Sequence, residues 1–270
     1  PDQAVSLEVD GTGNTLSPSD GVTDAEGVLV ATLASTVAQA KTITARVGSL
    51  AWTAQVSFIP GGPDLASSTL VASPAAVTAN GVERSTLTVT VRDAHGNPVP
   101  GVAVALAASG DGNALEPAAG LTDSAGVLTA TLASTVAEEK TVTAEIDGLA
   151  LEATVRFLPG APDLERSELM AIPAGAVADG IAVSTLTLTV RDAHGNPVPG
   201  QAVSFEVDGE GNLLSPSNGV TDAEGVLVAT LASTVAQTKT VTARVGTLAW
   251  TVPVIFVSGE PDLARSTIAA

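Results

Sequence analysis

The sequence predicts an all-β chain of tandem antiparallel β-sandwiches, and three observations carry that expectation. Apolar and polar residues alternate strictly over short runs, and turn-forming residues punctuate the chain roughly every eight to twelve positions. The whole pattern then recurs after 99 residues without insertion or deletion. Residues 92–100 (Arg-Asp-Ala-His-Gly-Asn-Pro-Val-Pro) return unchanged at 191–199. Pro63-Asp64-Leu65 returns as Pro162-Asp163-Leu164 and Pro261-Asp262-Leu263, and Phe58, Phe157 and Phe256 keep the same step. No stretch sustains a 3.6-residue apolar period, so helices are not expected.

The first full repeat shows the elements in order. Residues 70–72 open it as a strand. In 85–91, Leu87, Val89 and Val91 share one face and threonines the other, the mark of a half-buried strand. Val102, Val104 and Leu106 alternate with Ala103 and Ala105, and 121–122 is a short strand. Leu128, Ala130 and Leu132 alternate with Thr129 and Thr131. Val142, Ala144 and Ile146 oppose Thr141, Thr143 and Glu145; Leu149, Leu151, Ala153, Val155 and Phe157 oppose Ala150, Glu152, Thr154 and Arg156. Turns fall at Asn80-Gly81, His95-Gly96-Asn97-Pro98, 110–113, 124–126 and Asp147-Gly148. That makes about seven strands per 99-residue repeat. Pro253 stands in the last strand of the final full repeat; having no N–H to donate, it requires an open edge there.

The period divides the chain into a partial repeat at 1–60 lacking its first two strands, complete repeats at 63–161 and 162–260, and the first strand of a further repeat at 261–270. The connectors 59–63, 158–162 and 257–261 are short and carry proline, which keeps consecutive modules nearly end to end.

Of the 270 residues 45% are apolar, but only four are Phe, two Trp, one Met and none Tyr. The core must therefore be Val, Leu, Ile and Ala, which suits a thin sandwich and not an enzyme core with a ligand cavity. A net charge of −18 repels phosphate backbones and argues against nucleic acid as a partner. The absence of cysteine excludes disulfides and thiolate metal sites, and no apolar run reaches the length of a membrane-spanning helix.

The segment Leu-Thr-Val-Thr-Val-Arg-Asp-Ala-His-Gly-Asn-Pro-Val-Pro-Gly at 87–101, the Thr-Asp-Ser-Ala-Gly turn opening 122–134, and Lys-Thr-Val-Thr-Ala at 140–144 together resemble the group 1 bacterial immunoglobulin-like domains of the invasin and intimin adhesins. The resemblance covers the whole chain. It implies immunoglobulin-like sandwiches repeated in an extracellular fibre, on the cell surface or attached to the outer membrane, that carries a terminal adhesive domain.

Single residues give little reason to expect chemistry. His95 and His194 are the only histidines and occupy equivalent turns, with Asp93 and Asp192 two residues away as backbone-capping carboxylates. Trp52 and Trp250 lie in phase with Leu50, Val56 and Phe58 and with Leu248, Val254 and Phe256, which reads as core. Asp208, Glu210 and Asn212 alternate loosely as in a calcium loop, yet the counterparts are Asp10, Thr12, Asn14 and Ser109, Asp111, Asn113, so the acidic count varies between copies. The linker residues Asp64 and Asp163 recur and are placed to meet loops of a neighbouring module. No catalytic, cofactor-binding or metal-binding residue is assigned; calcium is the one candidate ion, and no enzymatic motif is present.

The expectation is a structural spacer in an adhesin stalk, its partners the neighbouring repeats of the same chain. The alternative is a filament or surface-layer subunit, in which another chain completes the open edges of 1–60 and the tail 261–270 donates the strand.

Overall fold

The computed structural model of the chain describes residues 1–261 and 266–268, and its regular structure there is β-strand. The first segment contains β1 (Ala4–Val9), β2 (Asn14–Ser17), β3 (Asp20–Val22), β4 (Thr32–Ser35), β5 (Ala40–Val47) and β6 (Leu50–Ser57). The middle repeat has β7 (Thr69–Ser73), β8 (Ala76–Thr78), β9 (Ser85–Thr90), β10 (Ala103–Ala108), β11 (Asn113–Glu116), β12 (Ala119–Leu121), β13 (Val127–Ser134), β14 (Glu139–Ile146) and β15 (Leu149–Leu158). The last has β16 (Glu168–Ile172), β17 (Gly175–Val177), β18 (Ser184–Thr189), β19 (Ala202–Val207), β20 (Asn212–Ser215), β21 (Asn218–Val220), β22 (Val226–Ser233), β23 (Thr238–Val245) and β24 (Leu248–Val257).

Each full repeat is a two-sheet sandwich. One sheet runs β12-β10-β14-β15-β8 and faces β11-β13-β9-β7; the last repeat repeats both orders as β21-β19-β23-β24-β17 and β20-β22-β18-β16. The chain crosses between sheets at Pro74, so that β7 pairs antiparallel with β9 while β8 pairs parallel with β15. Nine strands thus stand where alternation reads about seven. The two extra, β8 and β11, are three and four residues long and too short to display a period.

Inward side chains close one core per full repeat. Leu87, Val89, Leu132, Val142, Ala144 and Val155 have no exposed surface, and Leu186, Leu188, Leu231, Val241, Ala243 and Val254 repeat this in the last module. Each such valine or leucine contributes about 1.5–3 kcal/mol when taken out of water, and each alanine less. The first segment keeps the sheet β3-β1-β5-β6 and the pair β2-β4 but has no counterparts of β7, β8 and β9. Three strands are missing rather than two, because the opening strand is split at Pro74.

Pro253 sits opposite Thr240 of β23, while β17 pairs with β24 only across 255–257, so the edge is open at the proline. The Thr-Asp-x-x-Gly turn is tight for a visible reason. Asp123 Oδ1 accepts from the N–H groups of Ala125 (2.8 Å) and Val127 (2.9 Å). A Cβ on Gly126 would lie 2.5 Å from Val91 O, so only glycine fits. No helix among the described residues is long and apolar enough to cross a membrane. The tail 261–270, read as a further strand and a possible donor to another chain, falls largely outside the described residues; 266–268 are not strand.

Candidate functional site

The repeated turn at 92–98 lies between β9 and β10, at the end of its sandwich that faces the preceding module. Gly96 adopts φ +80°, and its N–H donates to Asp93 O (2.9 Å), which folds the turn over the Asp93 carboxylate. Arg92 Nη1 braces it by donating to Gly96 O (2.7 Å). Asp93 is 3% exposed and accepts four hydrogen bonds. Oδ1 takes the N–H groups of His95 and Asn97, both at 2.9 Å. Oδ2 takes Asn97 Nδ2 at 2.8 Å and the linker N–H of Gly61 at 2.9 Å. Burial alone would push the Asp93 carboxyl up; these donors outweigh it and hold its pKa down, from 3.8 to about 2.

Held in this way, the Asn97 amide is aimed at the module before it. Its Oδ1 accepts from Ala38 N–H (2.9 Å) and its Nδ2 donates to Thr36 O (2.9 Å). The side chain docks as one more peptide unit on the turn between β4 and β5. That turn is preset, since Ser35 Oγ accepts from Val37 N–H (3.1 Å) and donates to Val37 O (3.2 Å). The second junction uses the same atoms 99 positions on. Asn196 Oδ1 accepts from Ala137 N–H (2.9 Å), Asn196 Nδ2 donates to Thr135 O (3.0 Å), and Asp192 Oδ2 accepts from Gly160 N–H (2.9 Å). Burial again opposes, and the donors again lower, the Asp192 pKa.

This geometry reassigns several residues. His95 and His194 are exposed and supply only backbone N–H groups to the aspartates, whose oxygens are already saturated by four donors each. Asp64 and Asp163 spend their carboxylates on their own turns, although Asp163 lines a cleft with Thr78, Ala79 and Asn80 of the preceding module. Asp64 Oδ2 caps Ser67 N–H (2.9 Å), and Asp163 Oδ1 caps the N–H groups of Glu165 and Arg166 (both 2.9 Å), within their own turns. Asn97 and Asn196 make the cross-module contacts instead. Trp250 is core, 8% exposed, with Nε1–H donating to Leu164 O (3.1 Å); Trp52 is 55% exposed, because no second sheet covers it.

The acidic loop 208–212 is closed from within. Asp208 Oδ1 caps Thr240 N–H (2.7 Å), Asn212 Nδ2 donates to Asp208 O (2.9 Å), and the Lys239 ammonium donates to Glu210 O. Lys239 and its counterparts Lys41 and Lys140 have no exposed surface, a feature sequence reading missed. Their recurrence within Lys-Thr-x-Thr-Ala was the available signal, but a lone lysine beside alternating threonines reads as solvated.

A clamp of this kind, repeated at fixed period between antiparallel sandwiches, defines a tandem array with the same joint between its modules. The chain belongs to the family of bacterial Ig-like domains (group 1), whose model matches residues 67–158 and 166–257. It is 32% identical over 231 residues to the inverse autotransporter adhesin YeeJ of Escherichia coli (strain K12), covering 83% of this chain and 10% of that protein. The chain thus spans about a tenth of the length of that curated relative. Among solved structures it is similar to invasin, described as a bacterial integrin-binding protein, at a TM-score of 0.64 and 28% identity over 95% of this chain and 53% of that one. It is also similar to InvD of Yersinia pseudotuberculosis, at a TM-score of 0.59 and 27% identity over 76% and 62% of the two chains. The chain is an adhesin-type repeat of the bacterial cell surface.

Proposed function

We propose that this chain is a stiff, non-enzymatic spacer in an adhesin stalk, which projects a binding domain away from the cell by fixing each sandwich relative to the next. The observation that carries this reading is the clamp itself. Both junctions use the same asparagine, aspartate and linker glycine, with the corresponding distances agreeing within 0.1 Å. A loose string of independent domains needs no such device. At about 3.3 Å per residue of strand, each module adds roughly 35–40 Å. The partners in this reading are neighbouring repeats of the same chain, and the net charge of −18 disfavours nucleic acid.

Small-angle X-ray scattering on the full chain tests the stiffness. Asn97→Ala with Asn196→Ala removes both cross-module pairs, each on the order of 1–2 kcal/mol for two hydrogen bonds. The wild type should give one extended particle with a sharp maximum dimension, and the double variant a broadened distance distribution with each module still melting cooperatively, at a lowered temperature because Asp93 and Asp192 each lose one donor. Identical scattering from the two would overturn the spacer reading.

A further inference from the structure

We propose that the buried lysine on the receiving side of each described junction, Lys41 in the first segment and Lys140 in the middle repeat, is a positioning residue for the junction that follows it. This rests on the clamp reading above and deepens it, by assigning what holds the receiving side of the joint in place.

The lysine ammonium enters the loop between the first two strands of the segment that all three modules share. Lys41 Nζ donates to Thr12 O (2.7 Å), Lys140 Nζ to Asp111 O (2.6 Å) and Lys239 Nζ to Glu210 O. Lys140 also pairs with Glu138, where the other modules have Gln39 and Gln237. An asparagine ties the loop from its other side. Asn113 Nδ2 donates to Ser109 O and Gly110 O, both at 3.0 Å, and Asn14 and Asn212 do the same in their loops. The Oδ1 atoms of Asn14, Asn113 and Asn212 are buried and have no hydrogen-bond partner in any copy. Each loop thus turns several backbone carbonyls inward, and the ammonium supplies a donor to one that the asparagine does not reach.

That loop carries the receiving turn. Gly13 O accepts from Thr36 N–H (3.0 Å), Gly112 O from Thr135 N–H (3.1 Å) and Gly211 O from Thr234 N–H (3.0 Å). Contact is close enough that a Cβ on Gly112 would lie 2.7 Å from Thr135 Oγ1 and 2.9 Å from Val136 Cγ2. Thr135 then offers its carbonyl to Asn196 Nδ2, Ala137 its N–H to Asn196 Oδ1, and Asp192 holds both Asn196 and the linker at Gly160. One bonded series therefore runs from Lys140 through the loop and the turn to the next module.

Two further observations set the lysine apart from a generic core residue. Burying an ammonium is costly in desolvation, and an aliphatic side chain of similar length would pack at least as well. Lys41 has no exposed surface in the first segment, where Trp52 on the neighbouring strand is 55% exposed. The burial of the lysine belongs to the loop and not to the sandwich core.

The test is the distance distribution between spin labels at Glu152→Cys and Ser204→Cys in the full chain, which spans the second junction. Asn196→Ala is expected to widen it at least twofold. Lys140→Met should do the same with both modules still melting cooperatively, whereas the equivalent Lys239→Met, beyond that junction, should leave it narrow. If Asn196→Ala widens the distribution and a folded Lys140→Met does not, this inference fails and the clamp stands. Equal widening by Lys239→Met also overturns it. A narrow distribution in Asn196→Ala sinks the clamp reading and this inference with it. Should Lys140→Met fail to fold, Asn113→Ala loosens the same loop with the charge retained, and a narrow result there is equally fatal.

Discussion

Residues 21–39 and 219–237 are identical in sequence and differ in structure. In the last repeat, 226–229 form the first half of β22, paired with β18. In the first segment the same Val-Leu-Val-Ala run at 28–31 is not strand, and β4 begins only at Thr32. Leu231 is fully buried while Leu33 is half-buried; Val254 is fully buried while Val56 is 36% exposed. Alternation therefore encodes a capacity for a strand, and the neighbouring strand realises it. The polar devices behave otherwise. Lys41 is as buried as Lys239, and the turn at 35–38 is as well formed as its copies. Order in this chain is of two kinds, a core that needs the distant sheet and small polar closures that need only nearby backbone.

The sharpest way to break that distinction is to give the first segment its missing strands. A copy of residues 162–198 fused ahead of Pro1 supplies counterparts of β16, β17 and β18 in register. With Trp250→Phe to isolate the signal, Trp52 emission should shift to the blue as its exposure falls from 55% toward the 8% of Trp250. A further cooperative unfolding step of about 5 kcal/mol or more should also appear. Unchanged emission would mean that the sequence of 1–60 cannot form the sandwich its copy forms.

A smaller effect separates the two leucines. Leu231→Ala should cost the last module about 2–5 kcal/mol in urea unfolding, the range for a fully enclosed leucine. Leu33→Ala, on a half-buried side chain without a facing sheet, should cost less than about 1 kcal/mol. Similar costs at the two positions would show that the first segment is already packed.

The same division explains what the sequence disclosed. Repeat length, the long strands and the inward faces at Leu87, Leu132 and Val155 are periodic and local, and they were legible. So was the 92–100 turn as a turn. Its role as a clamp was not, because Asn97 meets Thr36 and Ala38 some sixty positions upstream, and neither the threonine carbonyl nor the alanine N–H has a side-chain signature. The linker aspartates were expected to meet a neighbouring module because they recur, yet a carboxylate preceding a tight turn is satisfied by its own backbone first. The lysines were hidden by type, since only the carbonyl that each meets in a loop 29 positions upstream explains burying one.

Acid should separate the two kinds of order with the smallest effect on the fold. Asp93 has its pKa lowered to about 2 because the donors around it outweigh its burial, and Asp192 moves in the same direction for the same reason. A carboxylate whose folded pKa lies below its ordinary value of 3.8 adds stability above that value and loses it as the pH falls through the folded pKa. Arg92 is engaged on Gly96 O, Asp64 caps its own turn, and the imidazole of His95 is exposed, so the carboxylate itself is the titrating element of the first clamp. The clamp contribution should therefore be full from pH 7 down to about 4 and fade between there and about 2. Interdomain distances followed by spin labels across the first junction should broaden over that window while far-ultraviolet circular dichroism still reports intact strands. Asp93→Asn, which cannot ionise, should remove the pH step at that junction and leave the second unaltered. If broadening instead coincides with loss of strand signal, the joint has no order of its own, and the contrast between closure and core dissolves.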